Sequence, residues 1–291
     1  MKFRIVLALM RLFAALPWSV LQKLGGALGH FFWRFETREY QITRANIGYC
    51  LPGLDALQQT ALVRESLREF GKTALEMPKM WLTEPEQALA RIAEVEGEEL
   101  MADAIAAGRG VIVLAPHHGN WEMVGLYCGH RYGITSMYLP SQGEAVDELV
   151  RRGRSRSGAT LVPADISGVR SLLKVLKRGG LVGVLPDQVP KHGAEVAPFF
   201  GRPALTMTLI GNLLRKTGAR AVMCMALRRP DGHFRLVFRN PDPALYAEDE
   251  AESLLGLNRS VEAVASEHTA QYQWEYKRFK GRPHGEPSIY D

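Results

Sequence analysis

The stretch Gly108-Arg109-Gly110-Val111-Ile112-Val113-Leu114-Ala115-Pro116-His117-His118-Gly119-Asn120-Trp121-Glu122 decides how this chain is read. A glycine-bounded turn leads into four consecutive apolar residues, the pattern of a short strand buried on both faces. The run ends at Ala115-Pro116, a polar segment follows, and a helix is expected over 121–130. Outward from this point the same alternation continues. Strands are expected at 134–139, 181–185, 219–227 and 234–238, and helices at 146–156, 169–176 and 207–216, with a largely helical stretch at 248–276. Upstream, 55–82 reads as a long helix, kinked near Pro78, with Leu57, Leu62, Val63, Leu67 and Phe70 at helical spacing. Strands alternating with helices of about ten residues imply an α/β fold with a mainly parallel central sheet flanked by helices.

Ligands of open α/β sheets gather beyond the carboxyl ends of the strands. Three polar segments fall there: Ala115-Pro116-His117-His118, Pro140-Ser141-Gln142 and Pro186-Asp187-Gln188. In the first, four residues separate His117 from Glu122. A histidine where a strand ends and a carboxylate in the next helical turn can form a catalytic pair, the carboxylate fixing the tautomer and steadying the imidazolium. Gly119 lets the chain turn without a Cβ clash. Two blander readings stand beside this one. His117 is merely hydrogen-bonded, or His117, His118 and Glu122 ligate zinc, although adjacent histidines on an extended chain point to opposite sides.

The 291 residues suit one large α/β domain with helical additions. At 46% hydrophobic and 23% charged, the chain buries a real core and is not disordered. A net charge of +5 and a pI of about 9.1 suit an anionic partner: a phospholipid surface, a phosphorylated substrate, an acidic carrier protein or nucleic acid. Nucleic acid is disfavoured, because aromatics do not interleave with a basic stripe and no recognition motif occurs. Cys50, Cys128 and Cys224 are scattered and odd in number, so neither a disulfide framework nor a cysteine zinc site is suggested.

Residues 3–33 are rich in Leu, Ala, Phe and Trp, but Arg4, Arg11 and Lys23 interrupt them and Pro17 breaks the helix. The longest uncharged run, 12–22, falls short of the roughly 20 residues a spanning helix needs. An N-terminal membrane-associated helical segment over 1–33 is expected, preceding a domain over 34–291. In it Trp18, Phe31, Phe32 and Trp33 lie at headgroup level and Arg11 and Lys23 face phosphates. The alternatives are a helical hairpin packed on the protein's own core, or a single span with snorkelling arginines.

Four blocks in order carry a resemblance: HHGNWE (117–122), LPDQ (185–188), PFFGRPALT (198–206) and QYQWEYKRF (271–279). Together they resemble the lipid A late acyltransferases of lipopolysaccharide assembly, within the wider group of HxxxxD/E acyltransferases, over nearly the whole chain. The resemblance implies an acyltransferase whose catalytic pair is His117 and Glu122. It implies that Arg154 binds phosphate or the developing oxyanion, that Asp187 and Gln188 belong to the substrate-binding rim, and that Arg202 meets a phosphate. Bland counterparts are a solvated charge run for Arg154 and a strand-ending turn for Asp187 and Gln188. In the last block, Trp274 and Tyr276 are expected as interface or core aromatics with Lys277 and Arg278 toward an anionic surface; the bland counterpart is an ordinary terminal amphipathic helix. The implied donor is an acyl thioester on acyl carrier protein. The implied acceptor is a phosphorylated glucosamine lipid, the implied place the cytoplasmic face of the inner membrane, and no metal or cofactor takes part. Rival readings are an acyltransferase acting on a lysophospholipid or glycolipid, and a non-catalytic lipid-binding protein of the inner membrane.

Overall fold

The computed structural model describes residues 2–139, 144–281 and 287–290; Pro140-Ser141-Gln142 lies outside them. In chain order the elements are α1 (Lys2–Ala15), α2 (Trp18–Arg34), α3 (Arg38–Cys50), α4 (Ala56–Leu82), α5 (Pro85–Leu89), β1 (Ile92–Glu96), α6 (Glu98–Ala106), β2 (Val111–Leu114), α7 (Trp121–Tyr132), β3 (Ile134–Tyr138), α8 (Glu144–Arg156), β4 (Thr160–Pro163), α9 (Ile166–Lys177), β5 (Leu181–Val184), β6 (Ala194–Phe199), β7 (Arg202–Met207), α10 (Leu209–Thr217), β8 (Arg220–Arg228), β9 (Phe234–Arg239) and α11 (Glu250–Glu267).

Seven strands form one sheet in the order β1-β9-β8-β2-β5-β3-β4. The pairs β8-β2, β2-β5, β5-β3 and β3-β4 are parallel, while β9 runs antiparallel to β8 and parallel to β1. The sheet is thus mainly parallel, as expected. Its carboxyl ends at β2, β5, β3, β4 and β8 share one edge. The alternation of side chains sorts each central strand between two cores. Ile112, Leu114, Val182, Val184 and Met223 enter one cluster, and Val111, Val113, Leu181 and Val222 enter the other.

Several elements are not legible from periodicity. β1 and β4 carry mixed residues at sheet edges, and β6 pairs with β7 in a separate antiparallel hairpin. The helix expected through Tyr276 stops at Glu267, and 269–279 runs as turns and bridges against the site. That path buries Trp274 and Arg278, so Arg278 does not face an anionic surface.

The helical N-terminus packs on the body. α4 starts at a capping box, Asp55 accepting from the Gln58 N–H and the Gln58 side chain accepting from the Asp55 N–H. α2 lies against α4 at a glycine seam. A Cβ at Gly29 would sit 2.1 Å from the Leu67 carbonyl oxygen, and one at Gly71 2.2 Å from the Gly25 carbonyl oxygen. Small residues let the two backbones approach this closely. Trp18 meets Phe234 edge-on at 5.9 Å, with Lys79 and Arg91 over its ring. Phe32 packs on Phe70, and Trp33 lies under Arg64. Away from α4, this N-terminal segment exposes Ile5, Leu9, Leu12, Val20, Leu24, Phe31 and Phe35. Among the described residues, no helix is long and apolar enough to cross a membrane. Gly29→Leu is expected to separate α2 from α4 at a cost of about 3 kcal/mol, lowering the melting temperature in detergent by roughly 6–12 °C, whereas Ala at the open position Gly53 leaves it unchanged.

Candidate active site

β2 and β5 are neighbours in register, Leu114 opposite Val184. Three residues beyond each of these, after Pro116 and Pro186, come His117 and Asp187. Equal overhangs from paired strands bring the two side chains face to face. His117 Nδ1 lies 2.8 Å from Asp187 Oδ1, and the His117 backbone N–H donates to Asp187 Oδ2 at 2.9 Å. Both residues are buried. Burial opposes ionisation of Asp187, but the facing imidazole and the backbone N–H hold its carboxyl below the usual range. An ionised Asp187 accepts only, so Nδ1 carries a proton, and a neutral ring so held has its lone pair at Nε2. Gln188 Nε2 lies 3.2 Å from that nitrogen, and the same amide donates to Gln273 Oε1 at 2.9 Å. Trp121 covers the ring, with centroids 4.8 Å apart.

The structure therefore corrects the pairing expected from the sequence. The carboxylate on His117 is that of Asp187, which is buried within the site and is not a rim residue. Glu122, in the first turn of α7, is instead gripped by Arg154 of α8: Arg154 Nε donates to Oε2 at 3.0 Å and Nη2 to Oε1. Burial disfavours the guanidinium, but the Glu122 carboxylate more than compensates and holds Arg154 firmly charged. Arg154 is neither a solvated charge nor free for an oxyanion, since its fork is committed to Glu122 while its plane lies over Tyr138. Arg202 donates from Nε to the Tyr49 carbonyl at 2.9 Å and stacks on the Tyr49 ring, so it ties β7 to α3.

The two histidines separate, as their adjacency on the chain requires. His118 is fully buried, its Nε2 3.1 Å from the His268 carbonyl, and burial pushes its pKa down to about 4. Its ring does not join His117 in holding a zinc ion. Gly119 has a φ of 62°, and a Cβ there would lie 2.1 Å from the Ala226 carbonyl oxygen, so the turn demands glycine.

Three surroundings hold the 117–120 loop. The Asn120 N–H donates to the Ala226 carbonyl of β8 at 2.9 Å. On the other side the Gly119 N–H donates to the Gln271 carbonyl at 2.9 Å, and the Gln273 N–H to the His117 carbonyl at 3.0 Å. From below, the Asn120 side chain caps α7 and donates to Glu76 of α4 at 2.9 Å. Glu76 and Glu69 share the buried Arg228, whose Nε donates to Glu76 Oε1 at 2.9 Å. Burial disfavours its charge, yet the two carboxylates raise its pKa further. Gln22 of α2 joins this cluster, donating to Glu76 at 3.1 Å.

A buried carboxylate on Nδ1, a lone pair at Nε2 and a nearby carboxamide donor, all at the carboxyl ends of parallel strands, suit an enzyme that deprotonates a hydroxyl during group transfer. Residues 2–281 match the model of the bacterial lipid A biosynthesis acyltransferases, and the chain belongs to that family. It is similar to the lipid A biosynthesis lauroyltransferase of Escherichia coli (strain K12), 29% identical over 278 residues that cover 94% of this chain and 90% of that protein. The lipid A biosynthesis palmitoleoyltransferase of the same organism is 28% identical over 286 residues, 98% of this chain and 92% of the relative. A phosphatidylinositol mannoside acyltransferase of Mycobacterium tuberculosis (strain CDC 1551 / Oshkosh) is 26% identical over 161 residues, 53% of this chain and 50% of its own length. The protein is an acyltransferase of lipid A biosynthesis.

Three functional contacts lay beyond the sequence reading: the His117–Asp187 pairing, the Gln188–Gln273 bond, and the Glu76–Arg228 support. For the first there was a signal. Both VIVL-A-P-H and LVGV-L-P-D place a titratable residue after proline at the same distance past a four-residue apolar strand.

Proposed function

We propose that this enzyme moves a fatty acyl chain from acyl carrier protein onto a hydroxyl of a lipid A precursor, a phosphorylated glucosamine lipid. The observation that carries the reading is the buried Asp187 carboxylate on His117 Nδ1, which leaves Nε2 as the accepting nitrogen. The acceptor hydroxyl takes the place of the Gln188 amide at Nε2. As its oxygen forms a bond to the thioester carbonyl carbon, its proton passes to Nε2. The carbonyl oxygen becomes the oxyanion, and the Gln188 N–H released from His117 turns to donate to it. The C–S bond then breaks, the carbonyl re-forms, and Nε2 returns the proton to the leaving thiolate. Asp187 steadies the transient imidazolium, and Glu122 with Arg154 fixes the start of α7.

The N-terminal helices support placement at the cytoplasmic face of the inner membrane. Its exposed apolar residues recur at helical spacing on the face away from α4, with Arg11 and Lys23 exposed beside them. The full-length similarity to the lipid A enzymes, against a half-length match to the mannoside enzyme, favours the lipid A acceptor.

The test incubates detergent-solubilised enzyme with acyl carrier protein thioesters of several chain lengths and a lipid A precursor, and reads the product by mass spectrometry. Wild type is expected to add one acyl mass and His117→Ala to lose at least about 10³-fold in rate. A product made equally fast by His117→Ala overturns the general-base role. No product with any donor overturns the choice of donor and acceptor.

A further inference from the structure

The segment Gln271-Tyr272-Gln273-Trp274-Glu275-Tyr276 has no place in the reaction as described, yet it runs along the catalytic loop. Its carbonyls at Trp274 and Tyr276 both accept from Asn46 Nδ2 of α3, at 2.6 and 2.8 Å. The Tyr276 hydroxyl accepts from the Val189 N–H at 3.0 Å, next to Gln188. Between these anchors the Gln273 N–H is fixed to the His117 carbonyl. A side chain held so firmly at its backbone, one amide away from the base, is placed to act on that amide.

A carboxamide has a donating end and an accepting end, and only one of them helps an oxyanion. Nothing in Gln188 itself chooses between them. Gln273 Oε1 accepts one of the two Gln188 Nε2 protons at 2.9 Å, and the second points along the 3.2 Å vector to His117 Nε2. With the amide reversed, two oxygens would face each other at Gln273 and an oxygen would face the lone pair of His117. The Gln273 side chain also hydrogen bonds the Glu275 carboxyl, which ties it on the side away from Gln188 to its own segment.

We propose that Gln273 is a positioning residue for acyl transfer: its side-chain oxygen fixes the Gln188 carboxamide with the N–H toward the reacting atoms at His117 Nε2. This rests on the reading given under Proposed function and assigns a task to a residue that touches no substrate atom. Removing the acceptor lets the Gln188 amide reverse, which weakens transition-state stabilisation and leaves ground-state binding little changed.

The experiment measures kcat and KM with an acyl carrier protein thioester and a lipid A precursor for wild type, Gln273→Leu, Gln273→Glu, Gln188→Leu and the double variant Gln188→Leu/Gln273→Leu. Gln273→Leu is expected to lose about 30-fold in kcat with KM within about threefold, and Gln188→Leu about 100-fold. Gln273→Glu keeps an oxygen acceptor and should recover to within about fivefold of wild type. The double variant should match Gln188→Leu to within about threefold, because the second change has nothing left to orient. Losses that multiply in the double variant, or an unimpaired Gln273→Leu, overturn the inference while leaving the function intact. If wild type gives no His117-dependent product, the reading of the function fails, and the inference falls with it.

Discussion

Replacing Asp187 with asparagine is expected to lower kcat by about 10³- to 10⁴-fold, with little change in KM. The two oxygens of Asp187 serve two donors, the His117 backbone N–H and the Nδ1 proton. Asparagine offers one oxygen. If it stays with the backbone N–H, the NH2 group faces Nδ1, which must then become the acceptor. The proton moves to Nε2, and the base points its lone pair away from the substrate. Glu122→Gln keeps a carbonyl oxygen for Arg154 and lies outside this contact, so its loss in kcat should stay below about tenfold and appear chiefly as reduced thermal stability. Steady-state kinetics on the two variants decide which carboxylate serves the imidazole. A larger loss from Glu122→Gln than from Asp187→Asn would return the role to Glu122.

The second large effect is one of stability. Arg228 sits at the end of β8 between Glu69 and Glu76, all three buried, with Thr73 accepting from the same guanidinium at 3.0 Å. Arg228→Met leaves Glu76 without its cation and Glu69 with Lys72 alone. Removing one partner of a buried ion cluster costs about 3–5 kcal/mol, more than the ion pair itself contributes, because the remaining charges stay desolvated. For a chain of this size the melting temperature should fall by roughly 10 °C or more. Adding Glu69→Gln and Glu76→Gln to Arg228→Met removes those charges and should restore about half of the loss. Thermal unfolding followed by circular dichroism checks both. An Arg228→Met protein that melts like wild type would mean that solvent reaches this cluster. Asn120 donates its hydrogen bond to the same Glu76, so activity should fall before global unfolding does.

These two predictions mark the boundary of what was legible in the chain. The strands of the sheet centre were read to within a residue or two, because burial on both faces leaves unbroken apolar runs such as VIVL and LVGV. β1 and β4 escaped notice because edge strands carry the mixed residues of any exposed segment. His117 stood out by its position after a buried strand. Its partner did not, because spacing along the chain favoured Glu122, and only the register of β2 against β5 reveals that a residue 70 positions away stands nearer. The glycines of α2 carry no sequence signal of the α4 backbone that crosses them. The final block, QYQWEYKRF, was read as an amphipathic helix from its aromatics. In fact it runs as turns whose polar residues bond backbone and side chains alike: Gln271 both accepts from and donates to the Arg228 main chain, at 2.7 Å each way, and Gln273 accepts from Gln188.

That last segment has a consequence for how the enzyme comes into being. The catalytic loop is held on one side by residues some 150 positions later in the chain, through the Gly119–Gln271 and His117–Gln273 backbone bonds. Asn46, made early, waits for the carbonyls of Trp274 and Tyr276 and for the hydroxyl of Tyr290. Domains are synthesised from the N-terminus, so residues 271–276 emerge long after the loop they close. A nascent chain can therefore dock its glycine-seamed helices and build most of its sheet while still unable to transfer an acyl group.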